Sequence, residues 1–107
     1  MADYVFRITR LWNLWVIGFV NGFEFEAKVY DLGSIYGIDE GRVSKLAIYR
    51  DKPRGAVVDY DRGWVTYHQP EHEDLLDAVL NYCANLPQYT NRRLQNGVIY
   101  DVSEGGT

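Results

Sequence analysis

A chain of 107 residues has room for one domain, because single domains usually take about 100 to 200 residues, so a two-domain enzyme is excluded. Hydrophobic residues at 47% and charged residues at 24% lie near the globular average and exclude an intrinsically disordered chain. With 11 basic and 15 acidic residues the net charge is −4, which argues against a general phosphate-binding protein, and direct nucleic-acid binding is not expected.

The first segment, Tyr4 to Thr9, alternates apolar and polar residues and predicts a strand. Asn21-Gly22 then predicts a two-residue type I′ hairpin turn, whose twist matches the flanking strands. With that loop, Val20 faces Phe23, Gly18 faces Phe25, Val16 faces Ala27 and Leu14 faces Val29, making one apolar face. The opposite face sets Phe19 against Glu24, Ile17 against Glu26 and Trp15 against Lys28. After a loop holding Gly33, Gly37 and Gly41, a strand is predicted over Val43 to Arg50 and a turn over Asp51 to Gly55. A strand over Ala56 to Tyr60 and a short one over Trp64 to Tyr67 follow.

Pro70 to Leu86 predicts one helix: Pro suits the first position, Glu71, Glu73 and Asp74 complement the dipole, and Pro87 stops it. Leu75, Leu76, Val79, Tyr82, Cys83 and Leu86 form its apolar stripe. Asn96-Gly97 predicts a second hairpin, and 102–107 should be a frayed tail. The expected fold is α+β: an antiparallel sheet of five or six strands with one helix on one face, as a single domain over 1–107.

The chemistry-bearing residues form few constellations. The loop from Asp31 to Arg42 could cradle an anion or nucleotide with Arg42, Ser44 and Lys45, but it lacks the Lys-Ser/Thr ending of a phosphate loop and carries Asp39 and Glu40. The bland alternative is a turn-rich structural or protein-contacting loop. Asp59 and Asp61, with His68 and His72, are a candidate divalent-metal site for an enzyme, although Pro70 between the histidines denies them a shared helical face. Ser34 and Ser44 lack a nucleophile elbow, and Cys83, the only cysteine, sits on the apolar stripe where a thiol is inert and its pKa raised. No cofactor, no metal and no enzymatic activity are expected.

That single cysteine excludes an internal disulfide, the N-terminal segment lacks a secretory pattern, and no apolar run approaches the ~20 residues of a membrane span. A cytoplasmic protein is expected. What remains is recognition of a macromolecule. Aromatics reach 15%, with nine Tyr, three Trp and four Phe, and the Trp15/Ile17/Phe19 face beside Glu24 and Glu26 is either packed by the helix or C-terminal segment or left for a partner or homodimer. Charge runs −3 over 1–41, +3 over 42–62, −4 over 63–86 and zero over 87–107, so the acidic surface is either Glu24 with Glu26 or the helix with Glu71, Glu73, Asp74 and Asp77.

The stretches Phe25 to Tyr30, Ser34 to Leu46 (SIYGIDEGRVSKL) and Asp59 to Trp64 (DYDRGW) resemble a family of small uncharacterised proteins of phages and mobile elements of Gram-positive bacteria, over roughly Trp15 to Leu80. The resemblance implies a small single domain and brings no activity or catalytic residues. By its class, it implies a phage-type inhibitor of a host defence protein, similar to anti-CRISPR proteins, with an acidic surface blocking a basic nucleic-acid site. The partner-binding residues expected on that reading are Trp15, Phe19, Glu24, Glu26, Tyr36, Asp39 and Glu40, and the partner is a host protein in the host cytoplasm.

Overall fold

The computed structural model describes residues 3–103, so most of the expected tail lies outside the described residues. Six strands form one antiparallel sheet: β1 (Phe6–Trp12), β2 (Trp15–Val20), β3 (Phe23–Val29), β4 (Val43–Tyr49), β5 (Val58–Asp61) and β6 (Trp64–Thr66). Each strand lies beside its sequence neighbour, in the order β1-β2-β3-β4-β5-β6. The helix α1 (Glu73–Ala84) follows, and β7 (Arg92–Gln95) pairs with β8 (Val98–Asp101) as a separate two-stranded ribbon. The fold is α+β, as expected. Among the described residues no helix is long and apolar enough to cross a membrane.

The β2–β3 hairpin has the expected register throughout, with Val20 opposite Phe23, Gly18 opposite Phe25 and Val16 opposite Ala27. Asn21 and Gly22 take φ of 47° and 85°, the positive values a type I′ turn requires. The first strand departs from expectation and runs on to Trp12. A register shift between Ile8 and Arg10 places a bulge at Thr9, so Leu11 returns to the side of Ile8 while Arg10 and Trp12 turn outward. Strict alternation cannot be followed across such a bulge. A second tight turn at Asn13, φ 53°, then sets Trp12 directly opposite Trp15.

The core lies between one sheet face and the helix. Val16, Val20, Phe25, Ala27, Val29, Leu46, Ile48 and Val58 are buried from the sheet, and Leu75, Leu76, Val79, Cys83 and Leu86 from the helical segment. Tyr82 stacks on Phe6 with ring centroids 4.1 Å apart. A helix of 12 residues is marginal alone, and burial at roughly 1.5–3 kcal/mol per large side chain holds this one in place. It opens with a single 3-10 turn over Pro70–His72, and Asn85 and Leu86 tighten its end by bonding to Tyr82 and Cys83.

Two arginines tie the helix end to the sheet. The Arg42 guanidinium donates to the carbonyl of Tyr30 at 2.8 Å and to those of Ala84 and Leu86 at 2.9 Å. Arg92, 5% exposed, donates to Pro87 O at 2.8 Å and Val29 O at 3.2 Å, with the Asp31 carboxylate 3.9 Å away. Cationic donors at the carbonyl end of a helix satisfy orphaned acceptors and oppose the dipole. Burial, and next the Arg42 charge, pull the Arg92 pKa down, and the Asp31 carboxylate pushes it back up.

Replacing Arg42 by Met strips three carbonyls of their donor and should lower the unfolding free energy by about 1.5–3 kcal/mol, the range for hydrogen bonds to charged groups. Lys, lacking the planar fork, should recover only part of it. Urea denaturation with an unchanged m-value is the measurement. Burial also pushes the Cys83 thiol from its usual 9.0 up to about 12. The neutral thiol is the form the fold keeps, so its stabilising contribution is complete below pH 9 and lost between pH 9 and about 12. Unfolding free energy should therefore fall through that window, with a shallower slope in Cys83→Ala.

Candidate functional site

The side of the sheet opposite the helix carries no covering element among the described residues. The helix and the β7–β8 ribbon both lie on the core side, where Leu94 and Ile99 pack against the core and Ile8 N–H donates to Gly97 O at 2.9 Å. Neither the helix nor the ribbon buries the Trp15 face; of the C-terminal segment only Tyr89 borders it, at the end beside Trp12 and Trp15. Trp12 is 56% and Phe19 43% exposed, with Trp15 and Ile17 half-buried between them.

The strand registers arrange this face in three rows. Trp12, Trp15, Lys28, Lys45 and Asp61 form one end row. Arg10, Ile17, Glu26, Ala47 and Asp59 form the middle row, and Arg7, Phe19, Glu24 and Tyr49 the other end row. Trp15 separates two depressions. One, of about 380 Å³, is lined by Trp12, Asn13, Trp15, Lys28 and Tyr89; the other, of about 150 Å³, lies over the small side chain of Ala47 between Glu26 and Asp59.

The charges of this face are mixed. Lys52 arches in from the 51–55 turn and binds Glu24 at 3.2 Å and Glu26 at 3.1 Å, with its ammonium 5.5 Å from the Tyr49 ring. Hydrogen bonding to Glu26 and then Glu24 raises the Lys52 pKa. Glu24 and Glu26 are therefore no bare acidic surface. Lys45 pairs with Asp61 at 3.7 Å, while Lys28, directly opposite Lys45, has no carboxylate partner among the described residues. Like charges in that cross-strand position are destabilising. An acidic surface without Lys or Arg is on the other side of the molecule, where Glu71, Glu73, Asp74 and Asp77 are all exposed on one helical segment and only Glu73 has a partner, His68.

The other expected site residues do not join this face. Tyr36 borders a separate cleft of about 240 Å³ with Tyr30, Leu32, Ser44 and Arg62, and its carbonyl accepts the Tyr60 hydroxyl at 2.9 Å. Asp39 and Glu40 project from the same loop at φ of 53° and 58°. The candidate anion site of Arg42, Ser44 and Lys45 is not assembled: Arg42 is committed to backbone carbonyls, Ser44 is buried and Lys45 sits on the open face beside Asp61. The loop's amides bond within it, Ser34 to Gly41, Gly37 to Ser34, Glu40 to Gly37 and Gly41 to Ile38. A Cβ on Gly37 would collide with the Gly41 carbonyl, so the glycine spacing serves close backbone packing around buried Ile38.

The metal alternative is likewise dispersed. Asp61 is engaged by Lys45 and Arg62, His68 by Glu73, and His72 is buried edge-on to Phe23. Among the described residues no three His, Cys, Asp or Glu side chains are gathered as a metal would need. The alternation over Tyr4 to Thr9 already set Arg7 on the side away from Ile8, but the Thr9 bulge hid Arg10 and Trp12 from it, and the reach of Lys52 depends on how the 51–55 turn folds back. The Asn13 turn, flanked by Trp12 and Trp15, was the available signal for Trp12.

Residues 14–84, from the start of β2 to the end of α1, match a family described as a domain of unknown function (DUF7678). No curated protein and no solved structure shows a significant match. The match takes in β2 to β6, the Gly33–Gly41 loop and the whole helix, and the chain belongs to this family of uncharacterised domains.

Proposed function

We propose that this chain is a non-enzymatic protein that works by binding other proteins. The observation that carries the reading is the uncovered sheet face: indole and phenyl rings stand outward on β1 and β2 where a one-helix domain has nothing left to cover them. Trp, Tyr and Arg are the side chains most enriched in binding hot spots, and Trp12, Trp15, Arg7 and Arg10 occur together here. The residues with nucleophilic or ligating chemistry have structural duties instead, Cys83 in the core and His68 at Glu73.

The finer form of the proposal is a phage or mobile-element protein that inhibits a host defence protein in the host cytoplasm, in the manner of anti-CRISPR proteins. The helix supports it. Glu71, Glu73, Asp74 and Asp77 form a one-signed ridge, and such a ridge suits a basic channel that otherwise holds nucleic acid. Because ridge and aromatic face lie on opposite sides of the sheet, one flat target cannot touch both. The ridge is assigned to the host target and the face to a separate protein contact.

The test is affinity capture from a Gram-positive bacterial lysate, followed by a nucleic-acid-binding assay on the captured protein. Wild type should displace the nucleic acid, less effectively as salt rises, and the Glu73→Lys/Asp77→Lys variant should fail to do so. A captured protein that keeps its nucleic acid in the presence of the chain would sink the inhibitor reading.

A further inference from the structure

We propose that the cleft beside the Gly33–Gly41 loop is a binding site for a small planar heterocycle that carries an anionic tail, the chemistry of a nucleoside monophosphate. This goes beyond the protein-binding reading and does not depend on it.

The cleft lies where three adjacent strands end: Tyr30 directly follows β3, Ser44 is the second residue of β4, and Arg62 directly follows β5. Burial sets its floor and its mouth. Ser44 is 5% exposed, its carbonyl accepts the Arg62 N–H at 2.8 Å, and its hydroxyl has no hydrogen-bond partner among the described residues. A polar group buried to that degree calls for a partner, and the cleft is the open space it lines. A second hydroxyl, that of Ser34, accepts the Tyr36 N–H at 3.2 Å and keeps its own proton to donate. At the mouth stands the Arg62 guanidinium, with a side chain 66% exposed.

The walls are fixed before any ligand arrives. Tyr30 donates its N–H to the Arg42 carbonyl at 2.9 Å and accepts from the Arg42 guanidinium at 2.8 Å, so the helix clamp also holds this ring's backbone. Tyr36 is held through its carbonyl by the Tyr60 hydroxyl at 2.9 Å. Arg62 itself takes φ of 58°, where the turns at Asn13, Asn21 and Asn96 all place asparagine. A residue with a long side chain kept in that region is strained, and such strain accompanies a task for the side chain.

The chemistry of the ligand follows from this order of groups. A neutral hydroxyl both donates and accepts, which suits the nitrogen and oxygen edge of a heterocycle and not a charge. Phenol rings offer faces for stacking on a planar ring. The guanidinium offers a planar fork matched to phosphate or carboxylate, and its contact with Asp61 at 3.6 Å is an exposed pair that costs little to exchange. Lys28, with its ammonium 5.4 Å from the Tyr30 ring centroid and no carboxylate partner among the described residues, adds a second positive charge beside the cleft. The volume of about 240 Å³ is below the roughly 300–1,000 Å³ of sites that enclose a drug-sized ligand, so one ring system enters and the anion stays at the mouth. Unlike a phosphate loop, this site asks nothing of the loop amides, which are bonded among themselves.

An amide chemical-shift titration of the isotope-labelled chain tests the proposal, with adenosine 5′-monophosphate, uridine 5′-monophosphate, the two nucleosides and ribose 5-phosphate as probes. At least one monophosphate should shift the amides of Tyr30, Tyr36, Ser44 and Arg62 in a saturable way, and which one does so names the ring. The matching nucleoside and ribose 5-phosphate should each bind about tenfold more weakly or worse. Arg62→Asn, which suits the positive φ, should weaken the monophosphate about tenfold, as loss of a hydrogen bond to a charged group does, and leave the nucleoside unchanged. Ser44→Ala should weaken monophosphate and nucleoside alike, by several-fold. Neither variant removes a side-chain hydrogen bond of the fold, and unchanged urea midpoints would check that. Absence of saturable shifts at these amides with both monophosphates, ribose 5-phosphate binding as tightly as the monophosphate, or affinities that both variants leave unchanged would each overturn the proposal, and none of these results bears on the binding of other proteins.

Discussion

The carbonyl end of the single helix is the point on which the rest of this structure depends. Ala84, Leu86 and Pro87 present acceptors where the helix stops, and the guanidinium groups of Arg42 and Arg92 bind them while also binding Tyr30 and Val29 at the end of β3. Two cations, one fully buried, bridge helix and sheet through backbone atoms. Backbone acceptors do not vary with side chain, so the attachment sets the position of the helix over the sheet, and apolar packing of Leu75, Leu76, Val79 and Cys83 supplies the bulk of the burial.

One consequence is the sidedness of the molecule. Arg92 opens β7, so the buried guanidinium also fixes where the terminal ribbon starts, and the ribbon then runs along the core side to Gly97 at the edge of β1. The helix and the ribbon are thereby committed to the core side, and of the segment between them Tyr89 reaches round to the end of the other face, beside Trp12 and Trp15. The other face, with Trp12, Trp15, Ile17 and Phe19, is left to whatever the protein binds. The same division separates the charges: a ridge of one sign on the helix and a compensated mixture on the sheet, where Lys52 spans two carboxylates.

The family match adds a boundary to this picture. Residues 14–84 include Trp15, Ile17, Phe19, Glu24, Lys28 and Arg42 with one of its helix acceptors, whereas β1, Arg92 and the ribbon lie outside. The centre of the open face thus belongs to the matched domain. Its basic edge, Arg7 and Arg10, and the second guanidinium of the clamp come from flanking segments.

What the sequence determined by itself is whatever depends on near neighbours. Asn21-Gly22 and the alternation around it dictated the β2–β3 register residue by residue, because side-chain period and turn geometry are local properties. The α+β class, the helical stripe and the core placement of Cys83 were legible for the same reason. Only the tertiary structure decided the rest. The Thr9 bulge turned Arg10 and Trp12 outward, the 51–55 turn brought Lys52 onto Glu24 and Glu26, and the Gly33–Gly41 loop consumed its own amides. Arg42 read as an anion ligand from its neighbours in sequence and proved to be a helix clamp, since its acceptors Ala84 and Leu86 lie more than forty residues away along the chain. Which face of the sheet stays open is a decision of that same long-range kind: it follows from which side the helix and ribbon are anchored, and no local pattern carries that information.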